Sequence, residues 1–447
     1  MLYFWGSFLF ATLLLYPEQT IVIDYLVVSR KLFIFVRDTK VKALNKATRK
    51  YILDHRTEDV RTLALRKVSD PAVDHSFALD QIRGWQIANK KIPTWANVEG
   101  IHYPPHLSLE QCSSEQTARY KQRLCERVLK DLSAEKEYSS LVDLTGGMGV
   151  DCSFMARAFD HSCYVERQQQ LCDLTAHNFP LLGLADTKVV CAEADEYLQK
   201  CDPVTMFFLD PARRDAHGGR TYAISDCSPD LIRLKEQLLE KADGVLVKLS
   251  PMLDWHEAVR LLGDVLEVHI VSVGNECKEI LLLMSRKIQH PLQIYCVDDD
   301  QVFCPMVESI DDRLKRPISS DDSSMWRYLY EPNASIMNAG CFEALERQFS
   351  VMQIAANSHL FVSDQLIENF PGRSFEVNGI STMNKQMLKS FLQGLTKANI
   401  AVRNFPMSVA DLRKKLRLKE GGDVYIFATT TADRQHVLIK TCKPSSL

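Results

Sequence analysis

The chain has 447 residues, enough for two or three domains, and 46% of them are hydrophobic, which allows each a real core. Lys and Arg number 54 against 57 Asp and Glu, a formal charge of -3, so no global basic field announces nucleic acid and any such partner must use a local patch. The 13 cysteines form no C-x-x-C pair and no zinc spacing; they sit mostly in apolar segments, as reduced thiols of a cytoplasmic protein do.

The first 44 residues stand apart. "MLYFWGSFLFATLLLY" is apolar but marginally short for a span, and it has no basic flank or cleavage site of a signal peptide. "IVIDYLVV" resumes the run after Pro-Glu-Gln-Thr. Three readings stay open here: sequence upstream of a true start near Val41 or Leu44, a membrane anchor, or a folded strand pair. No stable membrane association is expected of the rest.

From Thr48 to about Leu132 the apolar residues recur at helical steps, in "TRKYILDHRTEDVRTLALRK", "HSFALDQIRGWQIANKKIP" and "LEQCSSEQTARYKQRLCERVL", the last with Ser113 or Ser114 able to cap it. After Ser139 the rhythm becomes strand and helix in alternation. "LVDLT", "SCYVER", "KVVCAE", "VTMFFLD", "GVLVKLS", "LEVHIVSV" and "EILLLM" read as strands with helices between most of them. That pattern predicts a doubly wound, mostly parallel α/β sheet over roughly 110–290, with one antiparallel addition where the last two strands lack a helix. "LQIYCV" is a further strand, and "RPISSDDSS" a linker. The remainder reads as α+β: "WRYLYEPNASIMNAGCFEALERQF" and "NSHLFVSDQLIENFPG" in 325–369, then "SFEVNGI", two helices and "DVYIFATT" in 370–447.

"VDLTGGMGVD" places three glycines between a strand and a helix, where a doubly wound sheet opens its ligand crevice. The bend suits either a tight turn or a ligand lying against bare amides. Glu166 closes the second strand, where an acid can accept hydrogen bonds from a ribose diol; Asp195 follows the third.

Together these segments resemble the class I S-adenosylmethionine-dependent methyltransferases over about 110–290. More narrowly, "LDPARRD", "KLSP", "YEPNASIMNAG", "ANSHLF" and "GGDVYIFATT" resemble a bacterial methyltransferase family with a C-terminal THUMP-like domain, from about residue 45 to the end. The resemblance implies a Rossmann-like methyltransferase sheet (111–290), a helical N-terminal region (45–110), a small ferredoxin-like domain (325–369) and a THUMP-like domain (370–447). It implies S-adenosyl-L-methionine as cofactor and no metal. Asp143, Gly146 and Gly147 would line its methionine part, with Thr145 and Gly149 in the same loop, Glu166 on the ribose and Asp195 on the adenine. "QCSSEQTARYK" would be the helix that touches the cofactor's carboxylate, or an amphipathic packing helix.

Methyl transfer is an in-line displacement whose main need is alignment. Asp210, Pro211 and Arg213 of "LDPARRD" are the catalytic candidates, with Arg214 able to grip phosphate or stack on a base. The motif lacks the final aromatic of amino-nitrogen methylases. Where base-carbon methylases carry a nucleophilic Cys, this chain has Ser250, and Cys277 lies nearer the rim. Lys248 is an unusual charge in an apolar strand, able to face a phosphate, the cofactor or Asp210. Arg413, Lys414, Lys415, Arg417 and Lys419 cluster in one short segment that can meet a phosphate backbone. The implied substrate is RNA, tRNA favoured, with no DNA expected. The alternatives are a methyltransferase acting on a protein or small molecule, and an inactive nucleoside- and RNA-binding scaffold. Nothing in the sequence fixes the oligomeric state.

Overall fold

The computed structural model describes residues 21–28, 31–38, 45–104, 106–132, 137–213, 224–305 and 326–444. They divide into two compact units. The first holds the described residues up to Glu115 with Gly146–Ser153 and Cys163–Glu193; the second holds Gln116–Thr145, Phe154–Ser162 and the described residues from Ala194 onward.

In the first unit, β1 (Ile21–Val28) and β2 (Lys31–Asp38) pair antiparallel. The β-branched runs Ile-Val-Ile and Val-Val favour this extended state over helix. The first twenty residues lie outside the described residues, and among the described residues no helix is long and apolar enough to cross a membrane.

The helical region begins at Lys46–His55, capped by Asn45, whose Oδ1 accepts the Thr48 N–H at 2.8 Å. Asp59 and Asp74 cap Val60–Ala64 and His75–Lys91 in the same way. The extended segment 101–104 that follows is held by two buried amides. Gln81 exchanges both of its hydrogen bonds with the Tyr103 backbone (2.8 and 3.0 Å), and Asn178 does the same for His102 (2.9 and 2.9 Å). Buried backbone that joins no sheet needs such partners. This unit also carries most of β4 (His161–Glu166), paired in parallel with β5 (Lys188–Cys191), and the helix Gln169–Leu181.

The second unit contains β3 (Ser140–Asp143), β6 (Val204–Leu209), β7 (Ala242–Leu249), β8 (Val265–Val273), β9 (Glu276–Met284), β10 (Gln293–Asp298) and β11 (Gln301–Phe303). Their order across the sheet is β11-β10-β8-β9-β7-β6-β3. β3, β6 and β7 run parallel; β9 is antiparallel to both its neighbours, and it slots between β7 and β8 although β8 precedes it in the chain. The expected antiparallel addition is this β8–β9 pair. The sheet extends beyond residue 290, because β10 pairs in parallel with β8 and β11 with β10. The helix Glu115–Leu132 lays Leu124, Cys125, Val128 and Leu132 on a core that includes Leu141, Met206, Phe208, Leu246 and Leu281. Gly244 lets Leu132 approach: a Cβ there would stand 2.7 Å from Leu132 Cδ1. The helix Leu231–Lys241 is capped by Asp230, whose Oδ1 accepts the Arg233 N–H at 3.1 Å.

The C-terminal part of this unit is one seven-stranded sheet. Its order is Met352–Gln353, Phe361–Ser363, Tyr328–Pro332, Gly372–Thr382, His436–Cys442, Val424–Thr430, Asn399–Arg403. The two stretches read from sequence as separate domains therefore share hydrogen bonds, with Tyr328 opposite Glu376 and Pro332 opposite Gly372. At that seam the buried Glu331 accepts from both Arg373 and Arg403. A buried carboxylate with two guanidinium partners is compensated, whereas one left alone would not be.

Candidate functional site

At the end of β3 the Asp143 side chain is buried, and its Oδ1 accepts the Thr145 N–H at 3.0 Å. Thr145 in turn reaches the neighbouring strand: its Oγ1 accepts the Asp210 N–H at 2.6 Å. Asp210 is the first residue after β6, and its Oδ2 accepts from Lys248 Nζ at 2.6 Å. Lys248 lies near the end of β7 between the buried Val247 and Leu249. The parallel register of β3, β6 and β7 brings these four residues to the carboxyl ends of three adjacent strands. Thr145, a candidate of the cofactor loop, lends its hydroxyl oxygen to the Asp210 amide. The Thr145–Asp210 tie has no signal in the sequence, because it depends on strand adjacency. The Lys248 charge in an apolar strand was such a signal.

The chain continues from Thr145 into Gly146–Gly149, in the first unit. The Gly147 N–H donates to Glu166 Oε2 at 2.9 Å, and the Gln168 N–H donates to Oε1 at 2.9 Å, so Glu166 faces the bend at the end of β4. Tyr164, fully buried, donates its hydroxyl to the Gly147 carbonyl. Packing by itself requires glycine at two of these positions. A Cβ on Gly146 would stand 2.1 Å from the Tyr164 ring, and one on Gly149 (φ +84°) would stand 2.9 Å from Phe179. Gly147 has a left-handed φ of +53° and, like Gly146, is partly exposed; its N–H is held by Glu166 and its carbonyl by Tyr164.

Asp195 opens the helix Ala194–Lys200 and pairs with Arg233. Pro211 is buried, and Arg213 is placed by its backbone, opposite Cys227 in a two-residue bridge. Arg214 lies outside the described residues. In "QCSSEQTARYK", Ser113 donates to Asp151 Oδ2 at 2.7 Å, and Lys121 is fully buried in an ion pair with Glu279. Lys121 is therefore committed to the interior, and the packing reading of that segment holds for it. Burial pushes the Cys277 thiol up to about 11, so it is not a thiolate at neutral pH. Lys414, Lys415, Arg417 and Lys419 are exposed, while Arg413 is partly covered and 3.4 Å from Glu420. Among the described residues no group of three or more His, Cys, Asp or Glu is arranged to hold a metal.

Residues 328–371 match the model of a ferredoxin-like domain, and residues 372–443 that of a THUMP-like domain. A crystal structure from Porphyromonas gingivalis W83, of a protein described as a methyltransferase, is 30% identical, covering 89% of this chain and 98% of that one with a TM-score of 0.77. The chain belongs to this methyltransferase family. Within the family fold, "YEPNASIMNAG" has a visible task. Asn275 Oδ1 accepts the Ala334 N–H at 2.8 Å, and Asn338 Nδ2 donates to the Pro251 carbonyl at 2.9 Å, which ties the ferredoxin-like domain to the β8–β9 turn and to the turn after β7. A protein from Pyrococcus horikoshii described as an RNA methyltransferase is 14% identical, covering 45% of this chain and all of that one with a TM-score of 0.32. A tRNA m1G37 methyltransferase from M. jannaschii is 12% identical, covering 39% of this chain and 51% of that one with a TM-score of 0.27. At those scores the likeness carries nothing about activity. No curated protein matches the chain.

Proposed function

We propose that this methyltransferase uses S-adenosyl-L-methionine and acts on RNA, with tRNA the favoured class. One observation carries the cofactor reading: the strand-end acid Asp143 runs directly into a partly exposed glycine bend whose Gly147 amide is held by Glu166. The residues suit the group. Each Glu166 oxygen already accepts one backbone amide, yet a carboxylate oxygen has a second lone pair for a ribose hydroxyl. Asp143 offers negative charge to the ammonium and sulfonium. Gly146, Gly147 and Gly149 shape the bend, and Asp195 meets the adenine amino group while paired with Arg233. The cofactor supplies an electrophilic methyl. The chain's own part is to align a nucleophile beside it, for which Asp210 and Pro211 form the rim and Arg213 the adjacent backbone, with Arg214 as a phosphate contact.

The RNA reading is supported by the THUMP-like domain and by the exposed Lys414, Lys415, Arg417 and Lys419, with Arg413 at their edge. Calorimetric titration with S-adenosyl-L-methionine tests the first half: Glu166→Ala is expected to weaken binding at least about tenfold, the value of a lost charge-assisted hydrogen bond. Unchanged affinity would remove Glu166 from the site. Comparing modified nucleosides by mass spectrometry, in RNA from a deletion strain and its parent, tests the second half. Identical profiles would turn the reading toward a protein or small-molecule substrate.

A further inference from the structure

We propose that Lys248 is a positioning residue for methyl transfer, acting through Asp210; the inference rests on the methyltransferase reading above. Asp210 carries a contradiction. Its side chain is 41% exposed, and an aspartate that open ordinarily samples several rotamers in water. Here it is fixed at both ends. Its amide is tied to Thr145 Oγ1 at 2.6 Å, and its Oδ2 to Lys248 Nζ at 2.6 Å.

Lys248 is built for this. Only 12% of its side chain is exposed, and its strand neighbours are fully buried. Leu209 on β6 pairs with Val247, so the lysine rises beside the turn that Asp210 begins. Desolvating an ammonium and freezing a four-carbon stem both oppose folding, so a strand position that holds one needs a partner such as this carboxylate. Because the lysine takes Oδ2, the second oxygen is the one left to accept from a substrate: among the described residues Asp210 Oδ1 has no hydrogen-bond partner. Lys248 thereby selects which oxygen faces the nucleophile and holds it still. Alignment to within a fraction of an ångström is what an in-line displacement demands.

The test measures transfer of the tritiated methyl of S-adenosyl-L-methionine to total RNA from a strain lacking the gene. The full-length wild type is compared with Lys248→Met and Lys248→Arg. Lys248→Met is expected to lower kcat about 100-fold. KM for RNA and calorimetric cofactor affinity should stay within about threefold, because the proposed role runs through Asp210 and the transfer step. Lys248→Arg keeps the charge and is expected to recover about tenfold of the loss. If the methionine variant does not fold, Lys248→Gln replaces it with the same expectation. Wild-type kcat in the neutral variant, a loss carried by KM or by cofactor affinity, or equal impairment of the Arg and neutral variants would each overturn the proposal. Should the wild type label a protein extract instead of RNA, the RNA reading falls. The Lys248 comparison is then made on that substrate with the same expected ratios. Cofactor binding without transfer to either would overturn both.

Discussion

Gly146 shows how one residue type serves two masters. A glycine between a strand and a helix invites a ligand explanation, yet the space its missing Cβ leaves is filled by the Tyr164 ring. Gly146→Ala is expected to destabilise the protein by about 1–3 kcal/mol, as overpacking does. Combined with Tyr164→Leu, it should cost less than the sum of the two singles, since the smaller side chain makes room. Strict additivity in urea denaturation would show that the ring is not what excludes the methyl. Gly147 is the contrasting case, with a left-handed φ and an amide already engaged by Glu166. Sequence could mark the bend but could not apportion its glycines, because the ring that packs beneath it comes from the next strand.

At the scale of elements, two helices carry features that propensity alone misjudges. Gly84 sits inside the helix His75–Lys91, where Gly→Ala would ordinarily stabilise by about 1 kcal/mol. A Cβ there would stand 2.3 Å from Tyr103 Cβ, on the segment clamped by Gln81. Gly84→Ala is therefore expected to lower the urea midpoint, and a raised midpoint would show that the 101–104 segment yields easily. The helix Glu115–Leu132 buries Lys121 against Glu279 of β9. Removing one partner of a buried pair costs about 3–5 kcal/mol, so Lys121→Met should be the most damaging change on that helix. The double variant Lys121→Met with Glu279→Leu should regain part of the loss. An amphipathic pattern shows which face of such a helix is apolar; it cannot show that a lysine within that face has a carboxylate waiting on a strand far along the chain.

Across the whole molecule, buried ionisable groups set the response to acid. Burial, reinforced by the stacked His177 ring, lowers His102 from 6.5 to about 4. Burial pushes Glu267 up, but hydrogen bonds from His269 and Arg127 outweigh it and bring the group from 4.5 down to about 2. Both folded values lie below the unfolded ones, so both contributions are complete above the unfolded pKa and lost as pH falls. The histidine term fades from about pH 6.5 toward 4, the glutamate term from about 4.5 toward 2. The denaturation midpoint is expected to fall monotonically between pH 7.5 and 4; a flat profile would mean that compensating groups dominate. The basic edge of the THUMP-like domain is also a whole-molecule matter, because the net charge of -3 gives no general attraction for RNA. Lys414→Ala, Lys415→Ala and Arg417→Ala together should weaken RNA binding and reduce its salt slope by about 2. A salt slope equal to wild type would place the RNA on another surface.

The sequence by itself determined the alternating strands and helices, the antiparallel pair that follows β7, and the strand ends where Asp143, Glu166 and Asp210 fall. These are read from periodicity and from residue type at segment ends, both of which act over a few residues. Only the tertiary structure decided that β9 inserts between β7 and β8, that β10 and β11 extend the sheet past residue 290, and that the ferredoxin-like and THUMP-like regions share one sheet. It also decided that Thr145 and Lys248 converge on Asp210, and that Lys121 turns inward to Glu279. Strand order and side-chain partnership join residues far apart in the chain, and no local pattern encodes which distant segment will bury the same surface.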